Sequence, residues 1–317
     1  MPVLPATEEN IRKAAEIIRS GGVVAFPTET VYGLGADALN AKACVKIFEI
    51  KRRPFFDPLI VHINDYSMID TVSNGMSAEF RKLTEKFWPG PLTIILEKSE
   101  NIPGIVTSGL NTVAVRMPSN KIALRFIELC GVPVAAPSAN PFGYLSPTTA
   151  LHVEEQLWSS LPFILDGGSS EVGVESTIIK IEKGKKYLLR SGGIPVEEIK
   201  EIIGDINISE NAKVQAPGML PEHYSPSTRL KFFTSEDEVL SAVNPAFLLF
   251  KNNDKNFPAD RTEILSGDGD LTEAASRLFS CLHRLDSLGA DIIFTERVPE
   301  TGLGAAIMDR LTRASLK

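Results

Sequence analysis

Residues 23–35 read VVAFPTETVYGLG, a run in which a short apolar segment passes directly into a polar, glycine-containing turn. The first four residues predict a buried β-strand that Pro27 ends. Gly33 and Gly35 predict a turn whose backbone can approach another group closely. Polar turns after buried strands are the usual place of ligand sites in open α/β sheets, although an ordinary capped turn is the alternative. The polar side chains of this turn are Thr28, Glu29, Thr30 and Tyr32.

Outward from this run, residues 1–206 alternate between apolar segments of strand length and amphipathic segments of helix length, which predicts an α/β domain. The first predicted helix begins at Thr7, which fits an N-cap, and closes at Gly21 and Gly22. The other predicted helices are 41–50, 77–87, 121–130 and 195–203. The other predicted strands are 59–63, 92–96, 113–116, 134–136, 163–165, 177–181 and 187–190.

A second, smaller α/β domain is predicted at 230–317, because strands and helices alternate there again. Residues 207–229 lose the periodic pattern and contain several prolines, which indicates an inter-domain linker. The predicted strands of the second domain are 230–233, 247–250, 263–265 and 292–294, and its predicted helices are near 235–243, 271–288 and 304–315.

Composition narrows the function classes. The chain has 317 residues with a formal net charge of −7, so no overall basic surface indicates a nucleic-acid binder. Its three cysteines are far apart and form no CxxC pair, which indicates neither a zinc site nor a disulfide framework. The N-terminus has no apolar signal segment, and the apolar runs are too short for a bilayer. We therefore expect a cytosolic protein with no membrane contact.

The run KRRPFFDPLIVH at 51–62 contains a local basic cluster in this acidic chain. Lys51, Arg52 and Arg53 stand directly before Pro54 and are predicted to lie in a loop between a helix and a strand. A solvated basic loop is the alternative, but such a cluster beside proline-restricted backbone suits a polyphosphate. His62 closes the next strand, where a structural histidine is more common than a ligand.

A single charge interrupts an apolar strand in TVAVRMPSN at 112–120. Burying a charge is costly unless it is paired, so Arg116 is predicted to face a carboxylate of a ligand or of a neighbour.

Two further stretches are rich in hydroxyls, glycines and small residues. PVAAPSANPFGYLSPT at 133–148 suits phosphate and ribose oxygens, and DGGSSEVGVESTII at 166–179 is followed by Arg190 at the end of a strand. The Walker A pattern GxxxxGK[ST] is absent. The combined set of groups favours charge stabilisation in phosphoryl or nucleotidyl transfer over acyl hydrolysis.

In this order and spacing, the motifs resemble the long form of the threonylcarbamoyl-AMP synthase family. The resemblance implies an α/β protein with a YrdC-like twisted open mixed sheet and flanking helices, plus a second, smaller Rossmann-like α/β domain. The catalytic domain would comprise residues 1–206, the inter-domain linker or lid residues 207–229, and the C-terminal domain residues 230–317. The runs that carry the resemblance are PTETVYGLG, KRRPFFDPLIVH, WPGPLT (88–93), VAVRMP, APSAN, SPT, ESTI, APGMLPEHYSP (216–226) and PETGLGAAIMDRLTRAS (299–315).

The resemblance also implies the reaction. L-threonine and bicarbonate or CO2 would form a carbamate, which attacks the α-phosphorus of ATP and releases pyrophosphate. The product, threonylcarbamoyl-AMP, would serve the threonylcarbamoyladenosine modification of tRNA through downstream tRNA threonylcarbamoyl-transferase proteins. Mg²⁺ is expected to arrive with the nucleotide, and no dedicated protein metal site is indicated.

Site residues follow from the matched motifs. The residues implied for L-threonine are Thr30, His62, Arg116, Ala136 and Ser176. Those implied for ATP are Arg53, Asp57, Thr112, Ser138, Ser146, Arg190 and Tyr224. The residues implied at the reacting phosphates are Lys51, Arg53 and Asn140. Asp57 departs from the family, which often has Asn there, and a negative charge beside a triphosphate is unfavourable unless it neighbours a metal or points away.

Two other interpretations compete. The first is a non-catalytic YrdC-like RNA-binding module, which the acidic balance disfavours because strong direct nucleic-acid binding needs local basic charge. The second is the related carbamoyl-adenylating hydrogenase-maturation enzyme, whose zinc-finger cysteines and acylphosphatase-like segment are lacking here.

Overall fold

Two β-sheets organise the chain, and they account for the first and second predicted α/β regions. The structure is a computed structural model and describes residues 3–157, 160–208, 224–233, 242–252 and 257–316. The helix predicted near 235–243 and most of the predicted linker therefore lie outside the described residues. The division into domains and linker stays a prediction.

The first sheet is mixed and, within the described residues, has eleven strands in the order β1-β8-β2-β3-β7-β4-β6-β5-β9-β10-β11. Some neighbouring strands are parallel, such as β4 and β6, and others are antiparallel, such as β5 and β6. Its strands are β1 Val3–Pro5, β2 Val24–Phe26, β3 Gly33–Asp37, β4 Ile60–His62, β5 Leu92–Glu97, β6 Thr112–Arg116, β7 Val134–Ala135, β8 Ile164–Asp166, β9 Thr177–Glu182, β10 Lys185–Arg190 and β11 Asn207–Ile208.

Helices cover both faces of this sheet. One face packs on α1 and α5, and the other packs on α2, α4, α6 and α7. The run that opened the sequence explains the division, because Val24 and Phe26 face the first group of helices while Ala25 faces the second. The helices are α1 Glu8–Arg19, α2 Ala41–Lys51, α3 Ile69–Val72, α4 Ala78–Phe87, α5 Lys121–Cys130, α6 Ala150–Leu157 and α7 Val196–Ile203.

Local sequence signals set several helix ends. The Thr7 hydroxyl accepts a hydrogen bond from the Asn10 backbone N–H at 3.3 Å and begins α1. Helix α5 ends at Gly131, whose φ of 67° lies in the left-handed region that glycine adopts without steric cost. These caps confirm the predicted beginning of α1 and the predicted end of α5.

The predicted turn at Gly33 and Gly35 is wrong, because these residues begin strand β3, which pairs antiparallel with β2. A side chain at Gly35 would place its Cβ only 2.8 Å from Val134 Cγ1 and 2.9 Å from Phe26 Cε1. Glycine is required here for close packing of β3 against its neighbours. The polar turn is the six-residue connection between β2 and β3. Strands β1 and β11 and helices α3 and α6 were not predicted.

The second sheet is parallel and has the order β12-β15-β13-β14 within the described residues. This architecture confirms the expected second, smaller α/β unit. Its strands are β12 Arg229–Phe232, β13 Pro245–Leu249, β14 Thr262–Ile264 and β15 Ile292–Thr295, and its helices are α8 Leu271–Ser287 and α9 Gly304–Ala314. Short 3₁₀ turns lie at Tyr66–Met68 and Ala259–Arg261.

The apolar core of the second unit includes residues from the first. Val31, Leu145 and Val174 pack in the same buried cluster as α8 and α9. Tyr224 belongs to this cluster too. The two units therefore share a packed interface beside the polar turn after β2. In the described part of the chain, no helix is long and apolar enough to cross a membrane.

Candidate active site

A cavity lies at the edge of the first sheet where several predicted motifs end. All five residues expected for threonine line it: Thr30, His62, Arg116, Ala136 and Ser176. Four of those expected for ATP line it too: Arg53, Ser138, Arg190 and Tyr224. Sheet register explains part of this convergence, because His62 and Arg116 are paired neighbours on the parallel strands β4 and β6. Residues from distant motifs thus meet in one place.

Arg116 is buried and paired with a carboxylate of a neighbour, as one of its two predicted alternatives stated. Its Nη2 lies 2.7 Å from Glu29 Oε1, and its Nη1 donates to the Thr30 hydroxyl at 2.8 Å. Among the described residues, neither Glu29 oxygen nor Arg116 Nη2 has an aligned hydrogen-bond partner. The ion pair therefore fixes the guanidinium and leaves hydrogen-bonding capacity for a ligand.

His62 presents a neutral imidazole to the cavity. Burial, followed by the nearby Arg116 charge, lowers the pKa of His62 to about 3. Within the described ranges, its Nδ1 has no hydrogen-bond partner. Phe26 packs edge-on against the ring with centroids 6.2 Å apart. A neutral ring with an open nitrogen suits a hydroxyl or amine of a small ligand.

Ser176 and Arg190 form one hydrogen-bonded unit. Arg190 donates through Nε to the Ser176 carbonyl and through Nη2 to its hydroxyl, both at 3.0 Å. The Ser176 hydroxyl also lies 2.7 Å from the Thr93 hydroxyl. Strand β9 begins directly after Ser176, and strand β10 ends at Arg190, as the sequence predicted. Burial lowers the pKa of Arg190, because placing a charged guanidinium here costs free energy.

The basic cluster is mostly buried, so the alternative of a solvated basic loop is wrong. The prediction that all three residues lie in a loop is wrong for Lys51, which belongs to helix α2. Lys51 is the last residue of α2, Arg52 is the exposed cap with a φ of 51°, and Arg53 is buried at the cavity. Lys51 Nζ donates to the Ser138 carbonyl at 2.6 Å and to the Asn140 carbonyl. Burial, then repulsion from Arg53, holds the pKa of Lys51 well below its usual range.

Asp57 is fully buried against Arg53. Arg53 Nη2 lies 2.9 Å from Asp57 Oδ2, and Arg53 Nε donates to the Asp57 carbonyl at 2.9 Å. Burial raises the pKa of Asp57, while the Arg53 charge opposes that rise. Asp57 is not among the residues that line the cavity. Its geometry agrees with the view that this carboxylate orients Arg53 and points away from the cavity.

Four other predicted residues also lie outside the cavity lining: Lys51, Thr112, Asn140 and Ser146. Thr112 begins β6, whose opposite end is Arg116. Asn140 uses its side-chain amide to bind the carbonyls of Pro141 and Tyr144 at 2.8 and 3.0 Å, which braces the loop after β7. The structure therefore does not place these four residues at the cavity wall.

Ser146 connects the cavity to the second unit. Its hydroxyl donates to Glu175 Oε1, and Glu175 lines the cavity. Glu175 Oε2 in turn accepts from Arg310 Nε of α9 at 2.8 Å. The Arg310 guanidinium lies 4.8 Å from the centre of the Tyr224 ring. The pKa of Glu175 is lowered, since Arg310 and Arg190 overcome the effect of burial. Glu175 is therefore an ionised carboxylate at physiological pH.

Sequence reasoning did not assign Glu29, Glu175 or Arg310 to the site. Glu29 and Glu175 were visible as acids inside polar motifs, but nothing local identified their arginine partners. A signal for Arg310 did exist. In α9, Ile307, Leu311 and Ala314 form a buried face, and Arg310 occupies a buried position among them. A charge on the apolar face of a helix indicates a specific partner.

The open volume of the cavity is about 40 Å³. Pockets that enclose small-molecule ligands usually measure at least about 300 Å³. Tyr224 forms part of the lining and is 1% exposed. A ligand of that size therefore fits this cavity only when its walls, which include Tyr224, move apart.

Known proteins match both parts of the chain. Residues 16–192 match the Sua5, YciO and YrdC family, described as "Telomere recombination", and residues 194–315 match the family "Threonylcarbamoyl-AMP synthase, C-terminal domain". A "Threonylcarbamoyl-AMP synthase" of Pyrococcus abyssi is 43% identical, covering 97% of this chain and 94% of that protein. Its namesake from Bacillus subtilis is 38% identical, covering 98% and 94%.

A solved structure agrees with these matches. The crystal structure of Pyrococcus abyssi Sua5 complexed with L-threonine is similar at a TM-score of 0.91 and 40% identity, covering 99% of this chain and 98% of that one. The expected resemblance and fold class are confirmed. Because matches of this identity extend over nearly the whole chain, it belongs to the threonylcarbamoyl-AMP synthase family.

Proposed function

We propose that this enzyme forms threonylcarbamoyl-AMP and pyrophosphate from L-threonine, bicarbonate or CO2, and ATP. One observation carries the proposal: a single cavity is lined by every residue expected for threonine and by the guanidinium groups of Arg53, Arg116 and Arg190. Threonine offers one carboxylate and ATP a triphosphate, and guanidinium groups bind both kinds of oxyanion.

Threonine would bind beside β4 and β6. Arg116, fixed by Glu29, would donate to the threonine carboxylate, since Nη2 keeps hydrogen-bonding capacity. The neutral His62 and the Thr30 and Ser176 hydroxyls would bind the polar groups of the amino acid. Ala136 lines the same end, where its small side chain leaves room for the ligand.

The reaction then needs two bond-forming steps. The threonine amine attacks the carbon of CO2, or of dehydrating bicarbonate, and loses a proton to give a carbamate. A carbamate oxygen attacks the α-phosphorus of ATP while the bond to the pyrophosphate oxygen breaks. Negative charge shifts onto the leaving pyrophosphate, and fixed arginine groups stabilise such charge most strongly in a site closed to water.

The nucleotide would lie between the first unit and Tyr224. Arg53 and Arg190 would offset triphosphate charge, and Ser138 would donate a hydrogen bond. Thr112, Ser146 and Asp57 stay predicted ATP contacts, of which Asp57 would act through Arg53. Lys51 and Asn140 would act by bracing the loop at 138–144 that carries Ser138.

Mg²⁺ is proposed as part of the nucleotide substrate. Among the described residues, no group of three or more His, Cys, Asp or Glu side chains could hold a metal ion. We assign no reaction step to the metal ion.

The product would pass to tRNA threonylcarbamoyl-transferase proteins for the threonylcarbamoyladenosine modification. Threonylcarbamoyl-AMP is a mixed anhydride, so a downstream enzyme that transfers its acyl group to an amine can consume it. The relatives favour this catalytic function over a non-catalytic RNA-binding module. A cytoplasmic location stays a prediction from the sequence.

The direct test measures pyrophosphate release from ATP, with L-threonine and bicarbonate omitted in turn, and identifies the product by mass. We expect release to require both co-substrates. Pyrophosphate release that does not depend on threonine would overturn the proposal. Filter binding to tRNA across a salt titration tests the RNA-binding alternative. A protein that binds the phosphates of the RNA backbone loses affinity for tRNA steeply as the salt concentration rises.

A further inference from the structure

We propose that Arg310 of the second, C-terminal unit is a positioning residue for the nucleotide half of the active site, acting through Glu175 and Tyr224. The proposal rests on the proposed function, because it concerns how that site receives ATP. It also gives the C-terminal unit a specific part in the reaction.

The side chain of Arg310 is fully buried where the two units meet. Its Nε donates to Glu175 Oε2 at 2.8 Å, and its Nη1 donates to the adjacent Asp309 at 2.5 Å. Within the described residues, Nη2 has no hydrogen-bond partner. A buried guanidinium is retained only where its partners hold it strongly, since burial of charge is costly.

The first route from Arg310 to the nucleotide site runs through Glu175. The Glu175 carboxylate accepts from Arg310 on one oxygen and from the Ser146 hydroxyl on the other. His283 of α8 lies 3.2 Å from the Ser146 carbonyl. The second unit therefore contacts Ser146, a predicted ATP contact, directly at its carbonyl through His283. It reaches the Ser146 hydroxyl only indirectly, through the Glu175–Arg310 pair.

The second route runs through Tyr224. The Arg310 guanidinium faces the Tyr224 ring at 4.8 Å, within cation–π distance, and Phe279 packs on the same ring with centroids 5.9 Å apart. Tyr224 has a φ of 63°, a left-handed conformation that a residue with a bulky side chain adopts only when its surroundings impose it. The Ser225 N–H donates to the Gly143 carbonyl at 2.8 Å, which fixes the chain beside Tyr224.

Other contacts across the interface include two uncharged pairs and the Gly302 N–H, which donates to the Glu197 carboxylate at 3.4 Å. The Thr148 and Ser280 hydroxyls lie 2.9 Å apart, and the His152 and His283 rings stack with centroids 4.0 Å apart. Glu175–Arg310 differs because its acid lines the cavity itself. A contact needed only for docking the units would not have to reach this residue.

The test compares Arg310→Gln, which removes the charge, with Arg310→Lys and with the control Arg277→Gln. Arg277 belongs to the same unit and pairs with Glu273 on the surface at 3.5 Å. We expect Arg310→Gln to raise the KM for ATP about tenfold or more, as for loss of a charge-assisted hydrogen bond. The factor by which the KM for L-threonine rises should be at least five times smaller than the factor for ATP. Arg277→Gln should leave both values unchanged.

Arg310→Lys keeps a cation but cannot reproduce the planar donor arrangement, so its KM for ATP should lie between wild type and Arg310→Gln. In a Tyr224→Ala background, Arg310→Gln should have a clearly smaller effect on the KM for ATP, because the two changes interrupt the same route. If Arg310→Gln does not fold, the Arg310→Lys variant and its Tyr224→Ala cycle carry the test.

Equal increases in both KM values would show that Arg310 only supports the fold. Full additivity with Tyr224→Ala would show that Arg310 does not act through Tyr224. Either result would overturn the inference. The wild-type enzyme separates this outcome from failure of the proposed function. If wild type makes no threonylcarbamoyl-AMP, the proposed function fails. If wild type makes it and Arg310→Gln keeps a normal KM for ATP, only the inference fails.

Discussion

Two of the buried acid–arginine pairs around the site, Glu29–Arg116 and Glu175–Arg310, differ in which part of the fold builds them. Glu29–Arg116 lies within the first unit, at 2.7 Å, and joins the turn after β2 to the end of β6. Glu175–Arg310 lies between the two units, at 2.8 Å, and joins the start of β9 to α9. The first pair borders the proposed threonine side, and the second borders the proposed ATP side.

Under the proposed assignment, the two substrate sites are assembled at different levels of the fold. The threonine side needs only the first sheet and its loops, because every residue proposed there belongs to them. The ATP side needs docking of the second unit, because Tyr224 and Arg310 lie beyond the first sheet. We therefore expect changes in the second unit to affect nucleotide use selectively.

The largest expected effect comes from ending the chain after Ile208, the last residue of β11, because this removes the second unit entirely. The shortened protein loses Tyr224 and Arg310, so we expect ATP binding to weaken by a factor of about 30 or more, with little net synthesis. Threonine binding should stay within about threefold of wild type. Calorimetric titration with each ligand measures both effects.

The truncation also uncovers Val31, Leu145 and Val174, which lowers the midpoint of thermal unfolding. Circular dichroism checks that the shortened chain is folded before binding is compared. Synthesis at the full-length rate would show that the second unit contributes nothing to the reaction.

Arg116→Ala tests the pair that belongs to the first unit alone. We expect threonine binding to weaken by about 2–4 kcal/mol, because a charged hydrogen bond is lost and Glu29 is left buried without its cation. ATP binding should change little. Arg125→Ala is the control, since Arg125 pairs on the surface with Glu8 and such pairs contribute at most about 1 kcal/mol. Unchanged threonine affinity in calorimetry would remove Arg116 from the site.

Substitutions of Lys51 and Arg53 test whether the basic cluster acts on the phosphates of ATP. Arg53→Ala and Lys51→Ala should each lower turnover at least about tenfold, because charge at the transferring phosphate is no longer stabilised or Ser138 loses its support. Lys51→Ala should also lower the free energy of unfolding by about 1–3 kcal/mol, since buried carbonyls lose their donor.

The exposed neighbour Arg52 supplies the matched control, and Arg52→Ala should behave as wild type. Steady-state turnover and chemical denaturation measure the two effects separately. Normal turnover in both Lys51→Ala and Arg53→Ala would show that the cluster plays no part in the chemistry.

The smallest expected effect is on the pH dependence of the free energy of unfolding. It involves the stacked rings of His152 and His283, which lie between the two units. Burial, then His283, lowers the pKa of His152 to about 3, and burial also lowers the pKa of His283 although the Ser146 carbonyl and Asp286 oppose this. The unfolded chain takes up these protons near pH 6.5, whereas the folded chain resists. Their stabilisation is therefore complete above pH 6.5 and falls as pH drops towards 3, by at most about 1.4 kcal/mol per pH unit for each group.

His152→Asn should reduce this loss, because Asn Oδ1 can replace Nδ1 as acceptor from the Thr148 N–H without titrating. Urea denaturation at pH 7.5 and pH 5 measures the difference. We expect wild type to lose about 1 kcal/mol more than His152→Asn between these values. An identical loss in both proteins would show that the histidine pair does not set the acid sensitivity.

Much of the fold was predictable because its signals are local. Apolar segments of strand length, caps such as Thr7 and Gly131, and the proline that ends β2 act within a few residues of the backbone they shape. The prediction failed at Gly33 and Gly35, where glycine serves close strand packing against Phe26 and Val134. A turn and a tightly packed strand both require glycine, and the local sequence does not distinguish them.

The alternation of strands and helices, the polar turns at strand ends and the need of Arg116 for a carboxylate all follow from the amino-acid sequence alone. Three features emerge only from the folded chain: this carboxylate is Glu29, Lys51 is buried against the loop after β7, and Arg310 reaches Glu175. Local periodicity fixes which face of an element is buried. Which distant charges then meet depends on strand order and on docking of the second unit, because a buried ion pair forms only where the packed backbone brings both partners within about 3 Å.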